Sequence, residues 1–269
     1  MEQIILPHKI EYQPDSANKN KGQFIIEPCY PGYGITWGNA LRRVLLSSLP
    51  GAAVNSIKIK GARHEFSTIT NVKEDVLQLV LNFKQLRLKL FKDEPVQLKL
   101  SVKGEKKITA GDITKLADVE IVNPDLHLAT LTDKKAELDV EINVGKGFGY
   151  VPSEEKDRTG LDLGIIVMDS LFSPVIKVYS QTENMRVGQR TDYDRLILSI
   201  ETDGTITPYQ AFVEAANLLN NQFNFLAVQA KMVTEGLAIK PTEVKKTRKV
   251  IKSASAKKIV RKKKTKSKK

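Results

Sequence analysis

The sequence predicts an α+β fold followed by a basic tail. Apolar residues with helical spacing lie near both ends of the chain, whereas alternating apolar and polar residues, typical of antiparallel strands, fill the middle. The Lys and Arg excess is confined to the last 30 positions. A chain of 269 residues is long enough for one large domain or two modest ones.

The first predicted elements are two strands and a helix. Alternating residues predict strands over Gln3–Tyr12 and Gly22–Glu27. Pro31–Gly34 is a glycine-rich loop, and the apolar residues after it recur at three- and four-residue spacing. This spacing predicts an amphipathic helix from about Thr36 to Leu49. The Pro50–Gly51 pair is expected to end that helix.

The middle of the chain is dominated by predicted strands. Lys73–Leu86 has helical spacing and is predicted to form a second helix. Around it, short alternating runs separated by Gly, Pro, Asp and Asn are typical of an antiparallel meander. The predicted strands are Val54–Lys60, Leu86–Leu90, Val96–Val102, Val119–Val122, Ala136–Val144, Ile165–Met168, Val175–Ser180 and Leu196–Ile200.

A long helix is predicted after the last strand, from about Pro208 to Val233. Pro208 suits a first helical turn, and Thr207 is a plausible N-cap. At 1.5 Å per residue the helix would be roughly 40 Å long. Its apolar stripe consists of Phe212, Ala216, Leu219, Phe223, Leu226, Ala230 and Val233.

The formal net charge of +12 belongs to the tail. Residues 240–269 hold 15 of the 43 Lys and Arg residues and, in Glu243, one of the 31 Asp and Glu residues. Positions 1–239 therefore carry a net charge of −2. The pI of 9.5 is thus no argument that the body of the chain binds nucleic acid.

Cysteine content and hydropathy indicate a cytoplasmic protein. Cys29 is the only cysteine, which excludes an intrachain disulfide and a Cys-x-x-Cys metal pair. The first residues lack the basic region and apolar core of a signal peptide. No stretch reaches the about 20 apolar residues that cross a bilayer, so we expect no membrane contact.

The sequence offers little evidence for an active site. Its three histidines lie far apart without the spacing of metal ligands. The motifs of phosphate-binding loops, zinc proteases and serine hydrolases are absent. Asp192–Asp194 resembles half of an acidic metal-binding cluster, but we expect acids in a turn that pair with Arg190 and Arg195.

The strongest indication of an enzyme is Gly32–Gly38, which lies between a strand and a helix as in dinucleotide-binding folds. Two observations argue against that function. Pro28 is expected to end the strand before the glycines, and no acidic residue lies between Arg43 and His64 to bind a ribose. A second glycine cluster, Gly145–Tyr150, is predicted to form a tight turn.

Two adjacent arginines, Arg42 and Arg43, lie within the first predicted helix. Adjacent helical residues point about 100° apart, so at least one of them is not simply solvated. It either extends along the edge of the apolar face or binds a carboxylate on a partner protein. The residues alone leave both alternatives open.

Nine segments in collinear order, covering roughly positions 1–235, resemble the family of bacterial RNA polymerase α subunits. They are Gly32–Ser48, His64–Thr68, Glu74–Leu77, Leu81–Lys84, Asp118–Pro124, Gly147–Pro152, Asp169–Val175, Arg186–Arg195 and Glu201–Ile206. The resemblance implies a dimerisation domain built from both ends of the N-terminal region, with a mostly antiparallel β domain inserted between them. We place the boundaries at 1–57 plus 177–235 for the former and 58–176 for the latter.

The resemblance further implies a homodimer that serves as the assembly platform for the β and β′ subunits, with ω and sigma in the larger assembly. The matching positions for the β subunit are Arg43, Leu46, His64, Glu65, Phe66, Ser67, Thr68, Arg190 and Asp192. Those for the β′ subunit are Lys84 and Met168, and Phe212, Leu219, Phe223 and Leu226 are expected in the dimer interface. The family's catalytic magnesium belongs to β′, so this chain is expected to bind no cofactor and to carry no catalytic residue.

The sequence departs from the family after Glu235. The remaining 34 residues are too few for the usual promoter-binding domain, and residues 236–269 have a disordered, Lys-rich composition. They either solubilise the protein or attract promoter DNA weakly at the nucleoid through Lys257, Lys258, Arg261, Lys262, Lys263 and Lys264. The alternative function is a standalone basic-tailed nucleic-acid-binding protein, against which the charge of the body argues.

Overall fold

The computed structural model describes residues 4–62, 64–157, 162 and 164–234, with the backbone alone for 231–234. Helices and antiparallel sheets make up the described chain, which confirms the α+β prediction. It divides after Asn221 into two units, which are described separately.

The helices are α1 (Tyr33–Ser47), α2 (Val76–Lys84) and α3 (Pro208–Thr234). The strands are β1 (Lys9–Pro14), β2 (Lys21–Cys29), β3 (Pro50–Ile59), β4 (Leu88–Leu90), β5 (Val96–Lys103), β6 (Lys106–Thr109), β7 (Val119–Ile121), β8 (His127–Leu131), β9 (Glu137–Phe148), β10 (Tyr150–Val151), β11 (Ile165–Val167), β12 (Ser170–Leu171), β13 (Val175–Val187) and β14 (Arg190–Thr202). Two short 3-10 turns lie at Ala110–Asp112 and Ser153–Glu155.

A four-stranded antiparallel sheet joins distant parts of the first unit in the order β1-β2-β14-β13. Helix α1 packs on β13 and β14, and the first half of α3 adds two fully buried alanines to the same core. Phe24 stacks on Phe212 with ring centroids 4.0 Å apart. The buried residues are Phe24, Leu41, Leu45, Leu49, Val175, Val178, Leu198, Ile200, Ala211 and Ala215.

A second sheet lies between these parts of the sequence. Its strands run in the order β5-β9-β3-β4-β7, and β11 also pairs with β3. Helix α2 buries Val76, Leu79 and Phe83 in the core of this sheet, whose buried members all lie between Val54 and Met168. Two small two-stranded sheets, β6-β8 and β10-β12, complete the unit.

Several predicted boundaries were wrong near the start of the chain. The first strand begins at Lys9, after Pro7, which has no N–H to give to a sheet. Pro50 does not simply stop α1; it opens β3 opposite Phe148 of β9. Strands β6 and β8 were not predicted.

The predicted turns at Asp192–Asp194 and Gly145–Tyr150 were also wrong. Strands β13 and β14 form one long hairpin whose turn contains Gly188, at φ 63°, so the acids lie within β14. Gly145 and Gly147 lie within β9. A side chain at Gly145 would collide with Asn55, and one at Gly147 would collide with the Phe172 ring.

Helix α3 begins as predicted. The Thr207 hydroxyl accepts a hydrogen bond from the Gln210 amide, and the Gln210 side chain accepts one from the Thr207 amide, each at 3.2 Å. This reciprocal pair satisfies two backbone groups of the first turn. In the second unit the described residues begin at Gln222 and continue α3. No helix among the described residues is long and apolar enough to cross a membrane.

Candidate protein-binding surfaces

Helix α1 lies unusually close to the sheet beneath it, and its glycines explain why. A Cβ atom on Gly34 would lie 2.8 Å from side-chain atoms of Asp194 and Thr182, and one on Gly38 would lie 3.0 Å from Leu196. Glycine allows this approach because it has no Cβ. The Gly32–Gly38 segment therefore has a packing role.

The start of α1 is held by a carboxylate from β14. Asp194 accepts hydrogen bonds from the amides of Gly32 and Gly34, at 2.9 and 3.1 Å. The first amides of a helix have no partner within it, and a negative charge there is favourable. Asp194 thus does not pair with an arginine as predicted; Arg195 instead bonds Glu27 at 2.5 Å.

The prediction that Pro28 ends the strand before the glycines was wrong as well. Strand β2 continues through Pro28 to Cys29. Strand β2 is antiparallel to both of its neighbours, however, whereas a dinucleotide-binding fold uses parallel strands. The amides of Gly32 and Gly34, with which the loop of such a fold would bind a phosphate, already donate hydrogen bonds to Asp194.

The exposed face of α1 carries Arg42, Arg43 and Leu46, called here the Arg43 surface. Both arginines are exposed, and Leu46 is 37% exposed. Within the described chain no hydrogen bond or ion pair involves either guanidinium group. The Ser47 hydroxyl bonds the Arg43 carbonyl at 2.8 Å, which leaves the side chain unaffected. Both cations are available to a partner.

The predicted pair Arg190 and Asp192 forms a two-bond ion pair, at 3.0 and 2.7 Å. Hydrogen bonding from Arg190 lowers the pKa of Asp192. The guanidinium lies 5.4 Å from the Tyr193 ring, which contacts Tyr30 just before α1. Arg43 lies ten residues beyond Tyr33, the first residue of α1, which is about 15 Å along that helix.

The predicted His64–Thr68 segment forms a turn against the start of α2. Ser67 donates its amide and its hydroxyl to the His64 carbonyl, and the Val76 amide bonds the Ser67 carbonyl at 3.2 Å. Phe66 is 76% exposed. No hydrogen bond or ion pair between described residues joins this turn to the Arg43 surface.

Lys84 lies in a network that the sequence did not indicate. Its amine bonds one Asp169 oxygen at 2.9 Å, and the Ser153 amide bonds the other at 2.9 Å. Hydrogen bonds to the Asp169 carboxylate hold its pKa well below its usual range. The largest contribution comes from the Ser153 amide, followed by Lys84 and the Tyr150 hydroxyl. The Lys84 amine also lies 5.5 Å from the centre of the Tyr150 ring.

Lys84 shares a face of α2 with two exposed leucines. Leu77 and Leu81 are 43% and 51% exposed, and the spacing of four and three residues aligns them with Lys84. These three residues and Asp169 are called here the Lys84 surface.

Met168 occupies a different position from Lys84. Its side chain is 2% exposed and lies in the core, whereas its carbonyl accepts a 2.6 Å bond from the Lys156 amine. The Met168 side chain is therefore too buried to touch a partner protein. A partner that binds at this position would contact the neighbouring Asp169 instead.

The four residues predicted for the dimer interface fall into two groups. Phe212 and Leu219 are partly buried against the core of their own chain. In the second unit, Phe223 and Leu226 are 62% and 60% exposed. Only the second pair is available as a free apolar surface.

No three His, Cys, Asp or Glu side chains of the described chain are grouped so that they could hold a metal ion. His127 lies 3.0 Å from Glu74, whose carboxylate also accepts bonds from Thr130. The tail residues predicted to contact DNA, Lys257, Lys258, Arg261, Lys262, Lys263 and Lys264, lie outside the described residues.

Three residues that sequence reasoning missed are Asp169, Ser153 and Lys156. Asp169 is 85 positions from Lys84, so no local spacing could pair them. Lys156 follows Gly147–Pro152, which carried part of the resemblance without any assigned role. The segment Ser153–Lys156 contains two acids and one lysine, and this composition does not distinguish a partly buried amine from a solvated one.

Comparisons with known proteins agree with this architecture. A family model described as the RNA polymerase Rpb3/RpoA insert domain matches residues 57–173. A DNA-directed RNA polymerase subunit alpha of Alkaliphilus oremlandii is 46% identical over 243 residues, covering 90% of this chain and 76% of the relative. The subunit alpha of Symbiobacterium thermophilum is 51% identical over 211 residues, covering 78% and 67%. That of Alkaliphilus metalliredigens is 45% identical over 239 residues, covering 88% and 76%.

Proposed function

Because this chain belongs to the family of DNA-directed RNA polymerase alpha subunits, we propose that it forms a homodimer on which the β and β′ subunits assemble. The observation that carries this proposal is the apolar surface on α3. From Gln222 onward apolar side chains are exposed on both sides of the helix: Phe223 and Leu226 share one side and are 62% and 60% exposed, and Phe225 and Val228 on the other side are 60% and 49% exposed. Exposed apolar residues grouped in this way mark an interaction site.

We infer that 1–57 plus 177–235 form the dimerisation domain and 58–176 the inserted domain. Two separate buried cores support this division: one draws on both ends of the first unit, and the other only on residues between Val54 and Met168. The insert-domain model matches residues 57–173, close to the proposed range, and β3 enters the second sheet a few residues earlier, at Pro50.

Burial of the α3 side chains supplies the energy of the proposed dimer. Each Leu or Phe that becomes fully buried contributes on the order of 1.5–3 kcal/mol, so a few on each chain are enough. Phe223 and Leu226 are the predicted contacts that remain available for this purpose.

The two surfaces of the first unit are proposed to bind different partners. The Arg43 surface would engage the β subunit, because a guanidinium matches a carboxylate on a partner with two parallel hydrogen bonds. The Lys84 surface would engage β′. In this proposal β′ holds the catalytic magnesium, ω and sigma join the larger assembly, and this chain contributes no catalytic residue.

The decisive experiment is co-expression of the chain, truncated after Glu235, with tagged β and β′. We expect the truncated chain to form a dimer by sedimentation and to be recovered with both large subunits. Phe223→Ser combined with Leu226→Ser should yield monomers that recover neither. A matched control, Phe91→Ser, changes a 58% exposed residue of the proposed inserted domain and should leave the dimer intact. A wild-type chain that stays monomeric and recovers neither subunit would refute the platform.

We also propose that residues 236–269 attract DNA at the nucleoid without sequence preference. If about six phosphates are neutralised, affinity should fall roughly a thousandfold between 50 and 200 mM salt. Full-length chain should therefore retain DNA at low salt, and the truncated chain should not. Binding by the full chain that is independent of salt would contradict this role.

A further inference from the structure

Lys156 is a partly buried lysine to which the proposed assembly function assigns no role. Its amine donates to the Met168 carbonyl at 2.6 Å, to the Ser170 hydroxyl at 2.5 Å and to the Asn55 carbonyl at 3.2 Å. These three acceptors match the three N–H groups of a protonated lysine. The Ser170 hydroxyl in turn bonds the Val54 carbonyl at 2.6 Å.

Two of the three acceptors of Lys156, at positions 168 and 170, lie on either side of Asp169 in the sequence. Asp169 in turn binds the Ser153 amide, in the turn that leads to Lys156. The segment Tyr150–Lys156 and the segment Met168–Ser170 are therefore tied to each other from both directions. Lys84 is joined to this pair of segments by its bond to Asp169 and by its contact with the Tyr150 ring.

No carboxylate of the described residues forms a direct ion pair with Lys156. Asp169 is the charged group that acts on it, and the carboxylate itself bonds Lys84. On β3 the nearest charged residue in sequence to its Asn55 acceptor is Lys58, which pairs with Asp162. In the turn before it, Glu154 and Glu155 are both exposed. Burial lowers the pKa of Lys156 to about 8, and Asp169 opposes that shift.

Loss of the Lys156 proton would break this arrangement, because a neutral amine has two N–H groups for three acceptors. One buried carbonyl or hydroxyl would then lose its donor, which is unfavourable in a site removed from water. The contact between the two segments would loosen, and Asp169 and Lys84 would move with them.

We propose that Lys156 is a positioning residue of the Lys84 surface, which holds Asp169 and through it Lys84 in the geometry that the β′ subunit binds. The inference rests on the proposed function of the Lys84 surface. It assigns no contact with β′ to Lys156 itself.

The test uses the full chain co-expressed with β and β′, with recovery of each large subunit measured from pH 7 to 9. Wild-type recovery of β′ should fall about tenfold over this range, as Lys156 loses its proton, while recovery of β stays constant. At every pH, Lys156→Met should recover as little β′ as the wild type does at pH 9. It should still form the dimer and recover β. Lys156→Arg keeps its charge across the range and should restore a pH-independent recovery of β′.

The matched control is Lys146→Met, which removes a lysine that pairs with Asp93 at the surface. This variant should reproduce the wild-type profile. Normal β′ recovery by Lys156→Met, or a wild-type profile that is flat from pH 7 to 9, would overturn the positioning role. If Lys156→Met also loses β, the chain is misfolded and the wild-type profile alone decides. Wild-type chain that recovers no β′ at pH 7 would instead refute the proposed function.

Discussion

The Arg43 surface and the Lys84 surface present their cations in opposite ways. Arg43 extends from a helix whose position is fixed by glycine packing and by the Asp194 carboxylate, and it has no partner among the described residues. Lys84 is bound by Asp169, which is bound in turn by the Ser153 amide. One surface offers an unpaired charge on a rigid helix, and the other offers a charge that is already compensated.

This difference indicates how each surface would respond to change. Binding at the Arg43 surface should depend on the arginine itself, provided that α1 stays packed on its sheet. Binding at the Lys84 surface should depend on the network behind the lysine, including residues that never touch the partner. The following predictions test that contrast.

The largest effect is expected from Gly34→Val, which attacks the rigidity of α1. Its side chain would overlap Asp194 and Thr182, and overpacking of this kind costs about 3 kcal/mol. Urea unfolding should show the lower free energy of unfolding, and less β should be recovered with this variant. Ile35→Ala, at the exposed neighbouring position, should change the free energy of unfolding by less than about 0.5 kcal/mol. Equal effects from both variants would contradict the packing role of the glycine.

Arg43→Ala should weaken β binding by about 2 kcal/mol, or roughly thirtyfold, if the arginine is an interface hot spot. The reason is the loss of the guanidinium, since the helix itself is unchanged. Arg42→Ala is the matched control on the same helix, and titration of β onto the dimer compares the two. Identical affinities for both variants would show that the surface attracts β through net charge and not through one side chain.

Asp169→Asn should weaken β′ binding about tenfold, which corresponds to about 1.4 kcal/mol, and leave β binding unchanged. The variant keeps the size of the side chain but removes the charge that binds Lys84. Asp93→Asn, which breaks the exposed pair with Lys146, is the control and should have no effect. Unchanged β′ binding by Asp169→Asn would mean that Lys84 acts without its network.

The smallest effect is a pH dependence of stability. The folded-state pKa of Asp169 is lowered, so its contribution is complete at neutral pH and is lost as the pH falls below about 4. Because the side chain is partly exposed, we expect a difference within about 1 kcal/mol. Between about pH 7 and pH 3 the urea midpoint of the wild type should fall further than that of Asp169→Asn. Parallel losses would exclude Asp169 as the source.

The fold was predictable from the sequence where the signal is local. The spacing of apolar residues placed all three helices, and the Thr207 cap of α3 was predicted correctly. Local spacing failed where a distant residue decides the outcome. Helix α1 starts before Thr36 because Asp194, far away in the sequence, binds the amides of Gly32 and Gly34.

The candidate surfaces were predictable only through the family resemblance, and then only in part. Exposure of Arg43 and Phe66 could be expected from their motifs, but the burial of Met168 could not, because the alternation of Ile165–Met168 does not reveal which face is covered. The network behind Lys84 was not predicted because a hydrogen bond between a helix and a loop 85 positions apart leaves no periodic pattern.

The apolar second half of α3 has a consequence for how much of the protein a cell must hold. If the side chains of Phe223 and Leu226 are covered only by a second copy, the folded form of this segment is governed by mass action. Each tenfold dilution then removes about 1.4 kcal/mol from the dimer. The supply of this one chain would in that way set the ceiling on how many complete assemblies can form.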